Sequence, residues 1–196
     1  MPEIICNEKH EYYVDGVKKP GVTRILQDMG LIDFSGVPAD IMERAQKFGT
    51  AVHTATELDD NNDLDFKTLD PALVPYIEAW HKFKSENGVE ILGIETNHYN
   101  PLYQYCGKDD RLAIVRSERT VIDIKSSTLM AAATKVQLSG YALFYEPAKV
   151  KRLGVQLKGD GTYKLYPYND YSDRNTFLYA VSLWWWRANH KLIKGW

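Results

Sequence analysis

Cysteine is scarce: Cys6 and Cys106 are the whole complement of a 196-residue chain. Two thiols so far apart exclude a disulfide-dense scaffold and lack the spacing of a structural zinc site. Neither has a helix start or a histidine beside it to activate it, so both read as small buried residues. Long apolar runs are missing too. Nothing approaches the ~20 residues of a membrane-spanning helix, and no membrane partner is expected. Charge of one sign is also absent, since 24 Lys and Arg against 26 Asp and Glu leave a net charge of −2. That balance excludes binding of a polyanion through bulk positive charge; such a partner would need a local basic patch or metal ions. There is no internal repeat, no low-complexity tail and nothing like a signal peptide, which points to a reducing, cytoplasmic setting. What is present is a 44% hydrophobic share, enough at this length for one domain, residues 1–196, with a real core.

The stretch Tyr105–Lys125, YCGKDDRLAIVRSERTVIDIK, carries the most information. Leu112–Val115 and Thr120–Ile124 read as two apolar strands joined by the polar turn Arg116-Ser117-Glu118-Arg119. A loop of that length pairs Val115 with Thr120 and puts Asp110 opposite Lys125. Because side chains alternate, Asp110, Leu112 and Ile114 then share a face with Val121, Asp123 and Lys125. Diagonal neighbours on such a face lie ~7–8 Å apart, close enough for two carboxylates to hold one cation. The plainer alternative is a surface Asp–Lys pair, because Asp-x-Lys is a common triplet. A second copy, Asp65-Phe66-Lys67, lies in a polar Asp/Asn loop with no strand before it. On pattern alone both readings stand.

The flanking segments supply further candidates. Glu11–Val17 reads as a small hairpin turning at Asp15-Gly16. Pro20–Thr23 opens a short helix with Thr23 as cap and Gly30 as stop. A longer helix runs from about Pro38 to Leu58, with Ile41, Ala45, Phe48, Val52 and Ala55 as its buried stripe. His53 and Glu57 share a face, compatible with a capped histidine, an ion pair or metal ligands. Gly49, costly inside a helix, suggests close approach of another backbone or a ligand. Asp70-Pro71 starts a third helix that carries Leu73, Val74, Ile77, Trp80 and Phe83 inward and stops at Asn87-Gly88. Val89–Tyr99 is a strand with Ile91, Gly93 and Glu95 on one face; Glu95 is either a carboxylate serving the site or a sheet-edge glutamate. Ser126-Ser127-Thr128 offer capping hydroxyls to a helix from about Leu129 to Tyr145, on which Gln137 and Tyr141 are neighbours. Strands Val150–Leu157 and Thr162–Tyr168 flank a Gly159-Asp160-Gly161 turn. Asp173 caps a last helix to about His190, with Phe177, Val181, Trp184 and Trp185 as core. This order predicts an α/β or α+β domain with a mixed sheet: a hairpin and helices over about 1–88, sheet and helix over 89–168, and a terminal helix over 169–196.

Four of these segments form a recognisable set: Gly49-Thr50-Ala51-Val52-His53, Gly107-Lys108-Asp109-Asp110-Arg111, Asp123-Ile124-Lys125 and Gln137-Leu138-Ser139-Gly140-Tyr141. Together they resemble the PD-(D/E)XK nuclease superfamily. Within it the set is most similar to the RecB-type exonuclease branch, which includes phage-encoded exonucleases and the mitochondrial genome maintenance exonuclease. Pro20–Leu26 resembles the amino-terminal segment of the phage-like members, and the resemblance spans about Pro20 to Tyr168. It implies an α/β, restriction-endonuclease-like core, a central mixed sheet flanked by helices, with the N-terminal helical region over the cleft. In that frame Asp110 and Asp123 are the acidic metal ligands, completed by the Ile124 carbonyl and by His53 from its helix. Lys125 positions or activates the attacking water, and Gln137 and Tyr141 orient the substrate phosphate or the lysine; Glu57 and Glu95 stay candidates, from position alone, for carboxylates behind the ligands. Asp109 stands where a small residue is commoner, and the resemblance favours Asp110 over it because Asp110 precedes Arg111-Leu112 as the family's acid precedes its apolar strand. Some relatives carry four cysteines for an iron–sulfur cluster; with two, none is expected here.

The implied activity is a divalent-metal-dependent DNA exonuclease of phage-type recombination, repair or end processing, using one or two Mg²⁺ or Mn²⁺ ions. A recombinase or single-strand-binding protein is the kind of partner this implies, in the host cytoplasm if the protein is phage-encoded. A phosphodiester is anionic and resists nucleophiles; hard divalent cations on oxygen ligands neutralise it and make hydroxide available near neutral pH. Lys108, Arg111, Arg116, Arg119, Lys149, Lys151 and Arg152 are candidates for gripping the DNA backbone, each against the alternative of a solvated surface charge. Two other functions fit the same core: a structure- or sequence-specific endonuclease, and a catalytically silent nucleic-acid-binding module. The presence of Asp110, Asp123 and Lys125 together argues against the silent module.

Overall fold

The computed structural model describes residues 2–33, 35–126 and 132–196. At the amino end, Asp15 and Gly16 both take left-handed conformations (φ 47° and 77°), which suits the twist of a two-residue hairpin turn. They join β2 (Tyr12–Val14) to β3 (Val17–Lys19), and β1 (Ile4–Cys6), which the pattern did not reveal, pairs with β2. Helix α1 (Val22–Asp28) begins after Gly21; Thr23 lies inside it and no side chain caps it.

Helix α2 (Ala39–Asp60) departs from its predicted stripe. Val52, Ala55 and Thr56 are buried, but Ile41 is 53% exposed and Ala45 is exposed. Its first turns have no facing surface among the described residues, so an apolar pattern there buries nothing. A Cβ on Gly49 would meet only Ser126 Oγ at 3.8 Å, an ordinary contact rather than the close approach its position suggested. Helix α3 (Val74–Glu86) starts later than Asp70-Pro71, because Asp70 instead accepts the Ala72 N–H in a preceding turn.

Five strands follow in sheet order: β4 (Glu90–Asn100), β5 (Tyr105–Val115), β6 (Glu118–Lys125), β7 (Lys151–Leu157) and β8 (Tyr163–Pro167). β6 and β7 are parallel and the other neighbours antiparallel, so the sheet is mixed as predicted. Helix α4 (Ala133–Ala142), continued by a 3₁₀ turn at Leu143–Tyr145, crosses over from β6 to β7. The predicted helix start near Leu129 and its Ser127-Thr128 caps lie outside the described residues. Helix α5 (Ser172–Asn189) closes the fold, with Asp173 in its first turn and not at its cap.

The central hairpin is tighter than the sequence suggested. Arg116 and Ser117 (φ 49° and 67°) make the whole turn, and Val115 pairs with Glu118. A two-residue turn with both φ positive matches strand twist, which a longer polar loop does not require. The register therefore moves by two positions, and since the side-chain period is also two, the predicted faces survive. Asp110 now stands level with Asp123 instead of Lys125, just beyond the last ladder pair, Arg111 with Ile122.

The sheet is sandwiched. On one face Val22, Ile25, Val136, Leu138, Phe177 and Trp184 from α1, α4 and α5 cluster with Val121 and Tyr105. On the other, Val52, Ile77, Trp80 and Phe83 from α2 and α3 cluster with Ala113, Ile122, Ile124 and Val155. Among the described residues no helix is long and apolar enough to cross a membrane.

Candidate active site

The end of the sheet where β5 leaves β6 collects the chemistry. Beyond the Arg111–Ile122 pair, the Asp110 carboxylate takes over the ladder's role, with Oδ2 accepting the Ile124 N–H at 2.7 Å. Burial pushes the Asp110 carboxyl up to about 6, helped by the Asp123 charge and opposed by His53 and Lys125. His53, from the buried half of α2, brings Nδ1 to 3.6 Å from Asp110 Oδ2 and 3.7 Å from Glu95 Oε1. Burial works against its protonation, but the Asp110 charge and the nearby Glu95 carboxylate raise its pKa overall.

Glu95 arrives from β4 by an unusual backbone. A register shift between Ile91 and Gly93 breaks the alternation of that strand, and Glu95 itself adopts φ 45°. A non-glycine residue in that region is uncommon and often marks a functional position. Its carboxylate sits 2.7 Å from Lys108 Nζ and 3.4 Å from Arg111 Nη1. Burial alone would raise its pKa, but the adjacent His53 and Lys108 overcome that and hold it at about 2. One donor atom each from His53, Glu95 and Asp110 lie within 4.8 Å of one another. Glu57, one turn along α2 from His53, is outside that group; its charge acts on Lys108.

Asp123 is not one of those three donors but adjoins them, its charge acting on Asp110. It is 1% exposed, and Lys125 donates to Oδ1 at 2.9 Å. Among the described residues its buried Oδ2 accepts no hydrogen bond, but Lys125 Nζ also lies 2.9 Å from it, so the ammonium pairs with both oxygens. An imidazole and two carboxylates within reach of one another, with a third buried carboxylate next to Asp110, are what a hard cation's donor set provides. Lys125 is held protonated: burial opposes its charge, but Asp123 and Asp110 outweigh burial. On α4, Gln137 Nε2 donates to Tyr141 OH at 2.9 Å. Burial and the nearby Asp110 and Asp123 charges keep the Tyr141 phenol firmly neutral.

Asp109 faces away from this group. Its oxygens take His98 Nε2 at 3.1 Å and the Tyr145 hydroxyl, so buried Asp109 belongs to a separate triad, with half-buried His98 and Tyr145, beyond the end of α4. Of the two adjacent aspartates, Asp110 is the one that joins the donors.

The basic candidates divide. Arg111 is fully buried, with Nε 2.7 Å from Asp60 Oδ2, Nη2 donating to Thr56 and Nη1 to the Asp110 carbonyl. It cannot grip DNA; its strand position turns it inward onto α2. Arg152 is likewise consumed internally by Ser139, Asp173 and the Asp170 carbonyl, its side chain only 10% exposed. Lys108 stands beside the donors, whereas Arg116, Arg119, Lys149 and Lys151 lie at the opposite end of the sheet. Nothing in the sequence signalled the Asp60–Arg111 pair or the His98–Tyr145 partners of Asp109, because both contacts join segments distant along the chain.

No protein-family model matches the chain, and no curated protein matches it. Among solved structures, LHK-Exo in complex with dAMP matches over 89% of each chain, with TM-score 0.50 and 11% identity. A second crystal structure, of the alkaline exonuclease LHK-Exo from Laribacter hongkongensis, matches over 89% of each chain, with TM-score 0.50 and 10% identity. At such identities the likeness is one of fold: an α/β architecture with a five-stranded mixed sheet between helices.

Proposed function

We propose that the chain is a divalent-cation-dependent DNA exonuclease that hydrolyses phosphodiester bonds, with Mg²⁺ or Mn²⁺ as the ion. The observation that carries this is the convergence of His53, Glu95 and Asp110, with the buried Asp123 carboxylate close enough for its charge to act on Asp110. His53, Glu95, Asp110 and Asp123 would hold the cation, which supplies charge neutralisation and a nucleophile near neutral pH. Lys125, kept charged by its carboxylate neighbours, orients the attacking water and stabilises the anionic transition state. Gln137 and Tyr141, linked to each other and near both aspartates, hold Lys125 or a substrate phosphate. The fold likeness to a protein described as an alkaline exonuclease supports the choice of reaction, and the motif resemblance supports a role in recombination, repair or end processing.

The test uses linear DNA labelled at either end and covalently closed circles, with Mn²⁺, with Mg²⁺ and with chelator. Linear DNA is expected to shorten progressively only with metal, and Asp123→Ala to abolish this while sparing binding. Cleavage that survives the substitution or the chelator refutes the site, and circles nicked as fast as linear DNA is digested would mean an endonuclease.

A further inference from the structure

The donor group already carries ammoniums of its own. Lys108 Nζ lies 2.7 Å from Glu95 Oε2, and Lys125 Nζ lies 2.9 Å from each Asp123 oxygen. Strand register explains the first contact. Lys108 pairs with Asn97 across β5 and β4, which makes Glu95, two residues along, its diagonal neighbour. The left-handed Glu95 (φ 45°) then has Oε1 3.7 Å from His53 Nδ1, inside the donor group, and Oε2 on the ammonium outside it. The Lys108 side chain is 34% exposed and that of Glu95 11%, so water and salt screen the pair only in part.

Charge sets how many divalent ions such a group can take. Glu95, Asp110 and Asp123 bring three negative charges, while Lys108 and Lys125 bring two positive ones, leaving a single negative charge. A ligating His53 is neutral. The charges next outward, Glu57 and Asp60 against Arg111 and Lys84, cancel. One divalent ion and one phosphodiester therefore bring the loaded site to zero. A second ion would leave two positive charges uncompensated where Asp123 and Arg111 are buried, and an unbalanced buried charge is costly. Position agrees with charge. Paired catalytic ions stand ~3.5–4 Å apart, and on the outer side of Glu95 a second ion would meet the ammonium already at Oε2.

We propose that the chain works with a single divalent cation, and that Lys108 stands at Glu95 in place of a second. The proposal rests on the nuclease function above and fixes the ion count that function leaves open. Mn²⁺ bound per chain is counted by titration, with the free ion read by electron paramagnetic resonance. The native protein is expected to take one ion. Lys108→Met removes a repelling charge and tightens that ion about tenfold, the effect of a unit charge a few ångströms from a divalent ion in a water-like dielectric. Lys108→Glu puts a fourth carboxylate beside Glu95 and raises the count to two, whereas Lys108→Arg keeps both the count and the affinity. Two ions on the native protein, unchanged affinity in Lys108→Met, or a count of one in a folded Lys108→Glu overturns the proposal and leaves the cation-dependent function standing. A native count of none sinks that function itself, and the proposal with it.

Discussion

Arg111→Met is the perturbation that most directly tests how the site is held. Arg111 and Asp60 are both fully buried, 2.7 Å apart, and the same guanidinium reaches Glu95, Thr56 and the Asp110 carbonyl. It therefore fastens α2, which carries His53, to the strands that carry Glu95 and Asp110. Removing one partner of a buried pair costs about 3–5 kcal/mol, because the other charge stays behind unpaired. Asp60 keeps two other partners, Trp80 Nε1 at 2.9 Å and Lys84 Nζ at 2.6 Å, so the lower end, about 3 kcal/mol, is expected. At about 2–4 °C per kcal/mol for a chain of this size, the melting temperature falls by roughly 6–12 °C. Asp60→Leu in the same background removes the stranded carboxylate and recovers much of the loss, and a double-mutant cycle from urea denaturation gives the coupling directly. Loss of less than about 1 kcal/mol, or purely additive substitutions, refutes the clamp.

The remaining predictions concern charge and position. Asp110 is raised to about 6 while an unfolded aspartate titrates near its ordinary value, so the folded chain binds the extra proton and loses stability as pH rises through 6. Glu95, held at about 2, acts oppositely: its contribution is present above its ordinary pKa and disappears as pH falls toward 2. A cation must displace protons from Asp110 and His53, so Mn²⁺ affinity falls below pH 6; calorimetry in buffers of different ionisation enthalpy should detect proton release there, and none would count against these ligands. Lys125→Met is expected to cut turnover about 10²–10³-fold with Mn²⁺ affinity retained, and loss of cation binding instead would make Lys125 structural. Tyr145→Phe removes a donor to buried Asp109 and should cost about 1–3 kcal/mol in denaturation while Mn²⁺ titration is unchanged; a weakened titration would return Asp109 to the site.

How much was legible in the sequence differs between the two sides of the site. Asp123 and Lys125 stand out because alternation and a strand end are local properties, and the wrong turn length did no harm since it shifted the register by two. The α2 stripe failed at Ile41 because periodicity records a capacity for burial, and whether a surface meets it depends on where the sheet ends. Glu95 was only one of two alternatives, since a strand bulge and a left-handed glutamate leave no mark in a strand pattern. Arg111 and Arg152 stand among the DNA-gripping candidates, each against a solvated charge, because composition cannot say that Asp60 or Asp173 waits across the fold.

By itself the sequence determined the order of helices and strands, the mixed sheet and the run of residues with acid–lysine chemistry, all consequences of short-range periodicity and steric preference. The tertiary structure decided that Glu95 stands with His53 and Asp110, that Asp109 turns to His98 and Tyr145 instead, and which arginines are spent inside. Those outcomes depend on contacts between segments far apart in the chain, and only packing α2 against β4 and β5 brings their charges within reach of one another.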